Sequence, residues 1–463
     1  AEYGQTVMLV APLIGAIDSS GSYEVASGQL RHDFELVRDA NAQWRISNPP
    51  EGLLVSRYLF SAGFTAATLH FLDTAGVSLV PDPRYFASGD QSMVAAVEAL
   101  IAGPSTWIAP AVRPPASARI GVLGVKVDDN GFAEVSLGAG ALTLNAAERE
   151  VLLSELVVTL AGFTQVTTVT VTAGGVPLTT AAGVSVLSAE DFAPLAPDNP
   201  SAPRILYSVT EDGVLRYPEG NWADGVPVET GLDKPERIAV RSDLTELAAL
   251  TGGGTRVEVA AVATGKARTL RTGADLLRPD FARNGELWSA GRAGPATFRV
   301  FGPETIVRVE SGDLPRRELV ASNLSPDGSR LALVLRNGTR TEVGLAVVVR
   351  SGNRIRLTGW RTLEVNLSSG PATTALDLGW ASSTEIAVLQ RTAAGDTSVI
   401  RVTQDGATAT DIGPKKSDSL ISLAVVAGRP ALALTAAGTG YRFESEFNWT
   451  PAMTGVDDLA YSG

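Results

Sequence analysis

The chain contains 463 residues, enough for two to four domains, and its 44% of apolar and 19% of charged residues suit a globular rather than a disordered protein. The net charge of −12, without a basic stripe, argues against nucleic acid as a partner. The absence of cysteine excludes disulfides and thiolate metal sites, and no apolar run reaches the ~18 residues of a membrane-spanning helix.

The first segment, residues 1–78, is predicted to form part of an α+β domain. Residues 32–38 and 43–46 are strand-like and flank the polar stretch 39–42, which is the pattern of a β-hairpin. The prolines within 49–52 end this pattern, because proline cannot serve a central strand. The sequence starts in apolar residues and without methionine, so we expect that the first part of this domain and a targeting segment are missing.

The second segment, residues 79–192, is predicted to form a further α+β unit in the order helix, two strands, helix, strand. The predicted elements are a helix capped by Asp90 or Ser92 and ending at Ile101, strands over 120–127 and 132–137, a helix from Asn145, and a strand over 166–172. The second helix places Leu152, Leu156 and Leu160 at helical spacing, so we expect them to face the core.

Residues 193–203 contain four prolines and are predicted to form a stiff linker. The charge balance changes at the same place. The chain carries 9 basic and 20 acidic side chains up to residue 203, and 29 basic and 30 acidic side chains after it. This change supports a domain boundary at the linker.

Residues 204–463 contain a repeated sequence motif. It is clearest at 324–335, where a polar turn is followed by a strand of alternating apolar residues. Its apolar strand cores recur at steps of 40, 44, 55 and 46 residues, namely Leu247, Leu287, Leu331, Ile386 and Leu432. A period of roughly 40–50 residues with several short strands is typical of a β-propeller blade. Six blades are predicted, the first completed by a closing strand at 456–461; five blades and an irregular leader are the alternative.

No catalytic constellation is visible in the sequence. The two histidines, His32 and His70, lie in strand-like or apolar stretches and are interpreted as packing or surface residues. No nucleophile elbow, zinc-binding histidine pair or Walker loop is present. Residues 252–254 are interpreted as a hairpin turn, and residues 128–131 as a turn rather than a calcium loop, because no glutamate stands at the twelfth loop position. We therefore predict no catalytic, cofactor-binding or metal-binding residues.

The tryptophans of the second half offer the best candidates for partner contact. Trp288 lies in a strand core and is interpreted as a packing residue, whereas Trp222 lies in the polar loop 218–224. Exposed tryptophans often anchor interfaces, so Trp222 is the candidate partner-binding residue. The adjacent Lys415 and Lys416 are interpreted as a solvated loop.

Several segments resemble known families. Residues 79–85 and 100–104, with the helix and strand that follow, resemble a GerMN domain to about residue 190. Residues 44–46 and 49–54 resemble the segment that precedes this domain in the LpqB family of actinobacterial lipoproteins. With the linker and propeller in the same order, the resemblance covers essentially the whole chain.

The resemblance implies a multidomain fold: a partial cone-shaped α+β domain of the nuclear-transport-factor type, a GerMN-type α+β domain and a six-bladed all-β propeller. It also implies a lipoprotein at the extracytoplasmic face of the cell membrane. Such a lipoprotein has a signal peptide and a lipid-modified cysteine, and this sequence contains neither. The implied role is to modulate the Mtr two-component system by binding the extracellular domain of the sensor kinase MtrB.

The residues themselves leave three functions open. The chain fits a non-enzymatic interaction protein, a sensor that binds cell-wall material or a small molecule, or a hydrolase whose site is framed by the propeller. We predict the first. The hydrolase would need acids or a base converging on the propeller channel, and the spacing of the sequence indicates none.

Overall fold

The structure is a computed structural model, and the residues it describes are 4–26, 28–49, 51–114, 119–199, 202–218, 222, 224–292, 296–303, 305–365, 373–416 and 419–463. Of the predicted features, Pro50, Pro200 and most neighbours of Trp222 in its loop lie outside these residues. The described chain forms an α+β region followed by a ring of four-stranded sheets.

The N-terminal region contains a three-stranded antiparallel sheet in the order β1-β4-β5 and a separate hairpin, β2–β3. Its elements are β1 (Gln5–Pro12), β2 (Gly15–Ile17), β3 (Tyr23–Val25), β4 (Gln29–Arg38), β5 (Trp44–Ile46) and α1 (Arg57–Gly63). The predicted hairpin is confirmed: β4 and β5 pair, and one Asp39 carboxylate oxygen accepts the N–H groups of Asn41 and Gln43, both at 2.9 Å.

The next region packs two helices against strands around a single core. Its elements are β6 (Phe64–Leu72), β7 (Leu79–Ala87), α2 (Ser92–Ala102), β8 (Val122–Val127), β9 (Phe132–Leu137), α3 (Ala146–Leu160), β10 (Thr168–Ala173), β11 (Val176–Pro177) and β12 (Val186–Leu187). The main sheet has the order β11-β10-β9-β8 with β12 also on β10, and β9 and β10 run parallel. The predicted order of helix, two strands, helix and strand is confirmed.

Helix α3 begins as the sequence predicts. The Asn145 side chain accepts the Glu148 N–H, and the Glu148 carboxylate accepts the Asn145 N–H, both at 3.0 Å, which satisfies two free donors of the first turn. The predicted apolar face is also confirmed, because Leu152, Leu156 and Leu160 are buried.

The predicted cap of the first long helix is wrong. Gln91 occupies the cap position of α2 and makes no side-chain cap bond, and Ser92 is already inside the helix. The backbone of the preceding turn takes over this role, since the Ser92 N–H donates to the Gly89 carbonyl at 3.0 Å. Asp90 therefore does not cap the helix.

Strand β6 belongs to the second core rather than to the N-terminal sheet. It pairs with β7 along its length, and α3 binds it through side chains: the His70 N–H donates to Thr159 Oγ1 at 3.0 Å and the Leu72 N–H to Glu155 Oε1 at 2.9 Å. The predicted boundary between residues 78 and 79 therefore falls at the end of the β6–β7 turn, inside one hairpin.

The described residues after the linker form six four-stranded antiparallel sheets. The strands are β13 (Leu206–Thr210), β14 (Gly213–Tyr217), β15 (Val226–Val228), β16 (Arg237–Val240), β17 (Glu246–Thr251), β18 (Arg256–Ala261), β19 (Lys266–Thr272), β20 (Asp280–Phe281), β21 (Leu287–Gly291), β22 (Thr297–Phe301), β23 (Ile306–Arg308), β24 (Glu318–Leu324), β25 (Arg330–Asn337), β26 (Arg340–Ser351), β27 (Arg354–Leu363), β28 (Thr374–Trp380), β29 (Glu385–Arg391), β30 (Thr397–Thr403), β31 (Ala409–Lys416), β32 (Leu420–Ala424), β33 (Leu432–Thr435), β34 (Thr439–Ser445), β35 (Asn448–Thr454) and β36 (Asp458–Tyr461).

These sheets are the blades of a six-bladed propeller, and the alternative of five blades is wrong. Strand β36 pairs antiparallel with β13, with Leu206 opposite Tyr461, so the end of the chain supplies the inner strand of the first blade as predicted. The apolar repeat of the sequence marks the second strand of the other five blades, β17, β21, β25, β29 and β33, whose cores are buried.

The proline-rich segment between the α+β region and the propeller is bonded to both. The Leu79 N–H donates to the Leu195 carbonyl at 2.8 Å. On the propeller side, Arg283 donates to the Ala196 carbonyl at 2.7 Å, and the Ser383 N–H donates to the Asp198 carboxylate at 2.8 Å. These bonds hold the segment against the propeller instead of leaving it as a free spacer.

Candidate functional site: the domain junction and the propeller channel

The repeated sequence motif lies, in the fourth blade, at the centre of the domain junction. In its turn, Asp327 Oδ1 accepts the Ser329 N–H at 2.9 Å, and Gly328 adopts a φ of 75°, which glycine accommodates readily. The chain then enters β25 at Arg330, whose side chain is fully buried and ion-paired with Asp327. The Trp380 ring lies 5.0 Å from its guanidinium.

Arg330 contacts the α+β region both directly, with 3.5 Å between its guanidinium and the Pro81 carbonyl, and through one intermediate side chain. Its guanidinium donates to Gln404 Oε1, and Gln404 Nε2 donates to the Pro81 carbonyl of β7 at 3.1 Å. Because unsatisfied buried polar groups are costly, this network favours a single docking geometry of the two regions.

Two aromatic side chains extend the junction. The Tyr85 hydroxyl donates to Asp405 Oδ2 at 2.9 Å, and burial together with the Asp405 charge raises the pKa of Tyr85. Trp107 Nε1 donates to the Gly359 carbonyl at 2.6 Å, while the Arg361 guanidinium lies 4.6 Å from the Trp107 ring centre. The junction therefore combines buried hydrogen bonds with a cation–π contact.

The N-terminal hairpin is tied to the same body. Arg84 on β7 is buried, ion-paired with Asp82 at 2.7 Å, and donates to the Ser20 carbonyl in the β2–β3 turn at 2.8 Å. Asp82 also accepts the Ser105 N–H at 2.8 Å. The three parts of the chain are thus connected by buried polar contacts.

Acidic and amide side chains line the propeller channel and join neighbouring blades. In four places, such a side chain on one inner strand accepts a backbone N–H from the next inner strand. The pairs are Asp458 with Ile238 at 2.9 Å, Asp280 with Leu324 at 2.6 Å, Asn323 with Trp380 at 3.0 Å, and Asp377 with Leu423 at 2.8 Å. These side chains replace the hydrogen bonds that separate sheets cannot make to each other.

Two arginines balance the channel acids. Arg237 and Arg278 both bind Asp458, the former at 2.8 Å, and Arg278 also donates to the Leu423 carbonyl at 3.2 Å. Burial raises the pKa of Asp280 to about 7, and it also raises the pKa of Asp377. Contrary to the sequence expectation, three acids do converge on the channel, namely Asp280, Asp377 and Asp458. Each of them, however, holds neighbouring blades together.

The candidate partner-binding residue Trp222 is half-buried instead of fully exposed. Its ring makes an edge contact with the Tyr461 ring at 6.5 Å between centroids, and the Arg442 guanidinium lies 5.6 Å from its centre. It packs at the sheet that closes the ring. Its role in partner contact stays a prediction.

Most of the other residues for which the sequence suggested a role lie in turns or in packing positions. Trp288 is buried within β21, as predicted, and residues 252–254 connect β17 to β18. Asp128 Oδ1 accepts the Asn130 and Phe132 N–H groups, both at 2.9 Å, so it stabilises a turn between β8 and β9. Lys415 is exposed, at the end of β31 rather than in the predicted loop, and its amino group lies 5.1 Å from the Phe447 ring centre.

His32 makes an edge contact with Phe34 on β4, with 4.5 Å between ring centroids. His70 lies on β6, and its Nδ1 finds no hydrogen-bond partner in the described part of the chain. Burial, reinforced by the Arg330 charge, lowers the pKa of His70 to about 4. Protonation of His70 is therefore unfavourable in the folded protein.

We predict an acid-sensitive stability that depends on His70. An unfolded histidine titrates near pH 6.5, whereas folded His70 titrates at about 4, so the unfolded chain binds the extra proton between these values. The stability contribution of neutral His70 is thus fully present above pH 6.5 and is lost as pH falls to 4, by about 3 kcal/mol. Urea unfolding at several pH values should show a flatter profile for His70→Phe; parallel profiles would contradict this account.

Within the described ranges, no three His, Asp or Glu side chains come close enough together to hold a metal ion. No helix in the described part of the chain is long and apolar enough to cross a membrane.

Comparisons with known proteins match the chain in three consecutive parts. Family models match residues 1–61 as the lipoprotein LpqB N-terminal domain, 68–179 as the Germane domain of sporulation and spore germination, and 212–459 as the lipoprotein LpqB beta-propeller domain. The propeller model alone covers more than half of the chain.

Named relatives extend this similarity along the chain. Lipoprotein LpqB of Cutibacterium acnes is 28% identical, with 98% of this chain and 81% of the relative covered. Lipoprotein LpqB of Rhodococcus opacus is 28% identical over 87% of this chain and 69% of the relative, and that of Mycobacterium tuberculosis is 31% identical over 34% and 29%. The resemblance noted in the sequence is confirmed, and the chain belongs to the LpqB family of lipoproteins.

Proposed function

We propose that this protein is a non-enzymatic accessory lipoprotein at the extracytoplasmic face of the cell membrane, held there by an N-terminal lipid anchor. It modulates a two-component system by binding the extracellular domain of an MtrB-like sensor kinase. The observation that carries the proposal is the similarity to named LpqB lipoproteins over 98% of the chain. The name supports the lipid anchor, and the resemblance of the sequence to the family suggests the kinase.

The surface of the N-terminal region supports a role in protein contact. Many of its apolar side chains are exposed, namely Val7, Met8, Val10, Ile14, Ile46, Leu53, Leu54, Tyr58 and Leu59. Some of them border a groove of about 670 Å³ between β1, the β2–β3 hairpin, α1 and β7. Exposed apolar side chains beside a groove are typical of interaction sites.

The domain junction supports the same role in another way. Since Arg330, Gln404 and Tyr85 connect the propeller to β7 through buried hydrogen bonds, the regions present their surfaces in a fixed relation. If a partner contacts both regions, binding therefore costs this protein less conformational entropy than it would cost a flexible chain.

The hydrolase alternative has less support. Asp280, Asp377 and Asp458 lie in the channel, where a propeller enzyme could place its acids. However, each of them accepts a backbone N–H of a neighbouring blade, and Asp458 also binds two arginines. These contacts favour a structural role for the three carboxylates.

Binding of the protein to the extracellular domain of the sensor kinase tests the proposal directly. We expect saturable binding, weakened about tenfold or more by Tyr58→Glu, because a large exposed aromatic is the residue type that anchors interfaces. Ile306→Glu is the matched control, since Ile306 is exposed at 69% on the outer strand β23 of the propeller. Trp222→Ala, measured in parallel, tests the second candidate contact.

Two results together would overturn the proposal in favour of an enzyme. The first is that the kinase domain does not bind at all. The second is turnover of a cell-wall or ester substrate that is abolished by Asp280→Asn in the channel.

A further inference from the structure

A cavity of about 380 Å³ lies at one mouth of the propeller channel. Its floor is formed by residues at the carboxyl ends of the inner strands and just beyond them, in all six blades. Its roof is formed by Pro197, Asn199 and residues 202–204 at the end of the proline-rich segment. We call it the linker cavity. Its size falls in the range of roughly 300–1,000 Å³ that small-molecule sites occupy, and such sites occur preferentially at domain interfaces.

Part of the cavity wall is apolar and rigid. Phe281 and Trp380 are buried side chains that border it, and Trp380 Nε1 donates to the Asn323 carbonyl at 3.1 Å, which fixes the indole ring. Val425 and Val426 add aliphatic surface from the sixth blade. An apolar ligand body therefore meets fixed walls and loses little affinity to reorganisation of the protein.

Another part of the wall carries positive charge. Arg204 donates to the Asn199 carbonyl at 2.8 Å, and Arg283 donates to carbonyls of the proline-rich segment. Burial lowers the pKa of both guanidiniums, so both cations are partly stripped of water. The carboxylate of Asp243 in the wall is paired with Arg241 at 3.0 Å.

The other acids that attract Arg283, namely Asp327, Asp73 and Asp198, all have further partners. Asp198 attracts both Arg204 and Arg283, but one of its oxygens accepts the Ser383 N–H at 2.8 Å, and it does not line the cavity. A third arginine, Arg429, adds positive charge near Arg204. The wall can thus accept an anionic group in addition to the Asp243 carboxylate.

We propose that the linker cavity binds a small carboxylic acid with an apolar body. The carboxylate lies at Arg204 and Arg283, as planar guanidiniums suit carboxylates, and the body packs against Phe281 and Trp380. Because the roof belongs to the segment that also binds β7, an occupied cavity strengthens the contact between the propeller and the α+β region. This inference is independent of the kinase proposal.

Isothermal titration calorimetry of the full chain with octanoate tests the site. We expect one saturable site, with octan-1-ol bound about tenfold or more weakly because it lacks the charge that pairs with the arginines. Arg204→Gln should weaken octanoate binding by a similar factor. Arg299→Gln, which changes an exposed arginine on β22 outside the cavity, should leave it unchanged.

A second variant keeps the test decisive if Arg204→Gln disturbs the fold. Val426→Phe places a larger side chain in the wall and should reduce octanoate binding by a similar factor without removing charge. The inference is overturned by any of three results: no saturable octanoate binding, equal affinity for octan-1-ol, or wild-type affinity in the folded Val426→Phe protein.

Discussion

The variant Asp458→Ala is expected to destabilise the propeller by about 3–5 kcal/mol, the usual cost of removing one partner from a buried ion pair. The Asp458 side chain is fully buried and binds both Arg237 and Arg278. It also accepts the Ile238 N–H at 2.9 Å, so its loss leaves two cations and one backbone donor without this carboxylate. Urea unfolding followed by tryptophan fluorescence would measure the change.

Asp457→Ala provides the matched control for this variant, because Asp457 is the adjacent acid and is exposed. We expect a change within about 0.5 kcal/mol for it. Deleting residues 456–463 should have a still larger effect, since it removes β36 and exposes the edge of β13. Wild-type stability of Asp458→Ala, or an unchanged melting temperature after the deletion, would show that the ring does not depend on this closure.

The propeller could be predicted because its repeat is local. The polar turn and alternating strand at 324–335 form a short motif, and its copies mark the buried second strands of five blades. The sequence also predicted a closing strand at 456–461, and β36 within it pairs with β13. Patterns of this kind are readable because hydrophobic alternation has a fixed period of two in a strand.

The channel and the junction could not be predicted in the same way. Asp280, Asp377 and Asp458 are separated by 97 and 81 residues in the chain, and only the closed ring brings them together. Each is a single acid within or at the start of a short strand, which has no distinctive spacing. The recurrence of a polar side chain on successive inner strands is the one signal that could have revealed them.

Arg330 shows where local patterns stop being informative. The sequence predicted the polar turn before it but gave no sign that its guanidinium is fully buried, against Gln404 and near Pro81. Similarly, β6 could not be assigned to the second core, since the side chains that bind it, Thr159 and Glu155, lie more than 80 residues later. Tertiary partners of this kind decide domain boundaries, and composition carries little information about them.

The variant Leu156→Asp is expected to destabilise the second α+β region by at least about 4 kcal/mol, because it places an unpaired charge in an apolar core. Leu156 is completely buried on α3, and its core includes strand residues such as Val135 and Val171. Ala147→Asp is the control, since Ala147 is exposed in the first turn of the same helix, where an acid is favourable. The measurement is the free energy of unfolding in urea with far-UV circular dichroism. Equal stability of the two variants would mean that α3 presents a different face to the sheet than the one described.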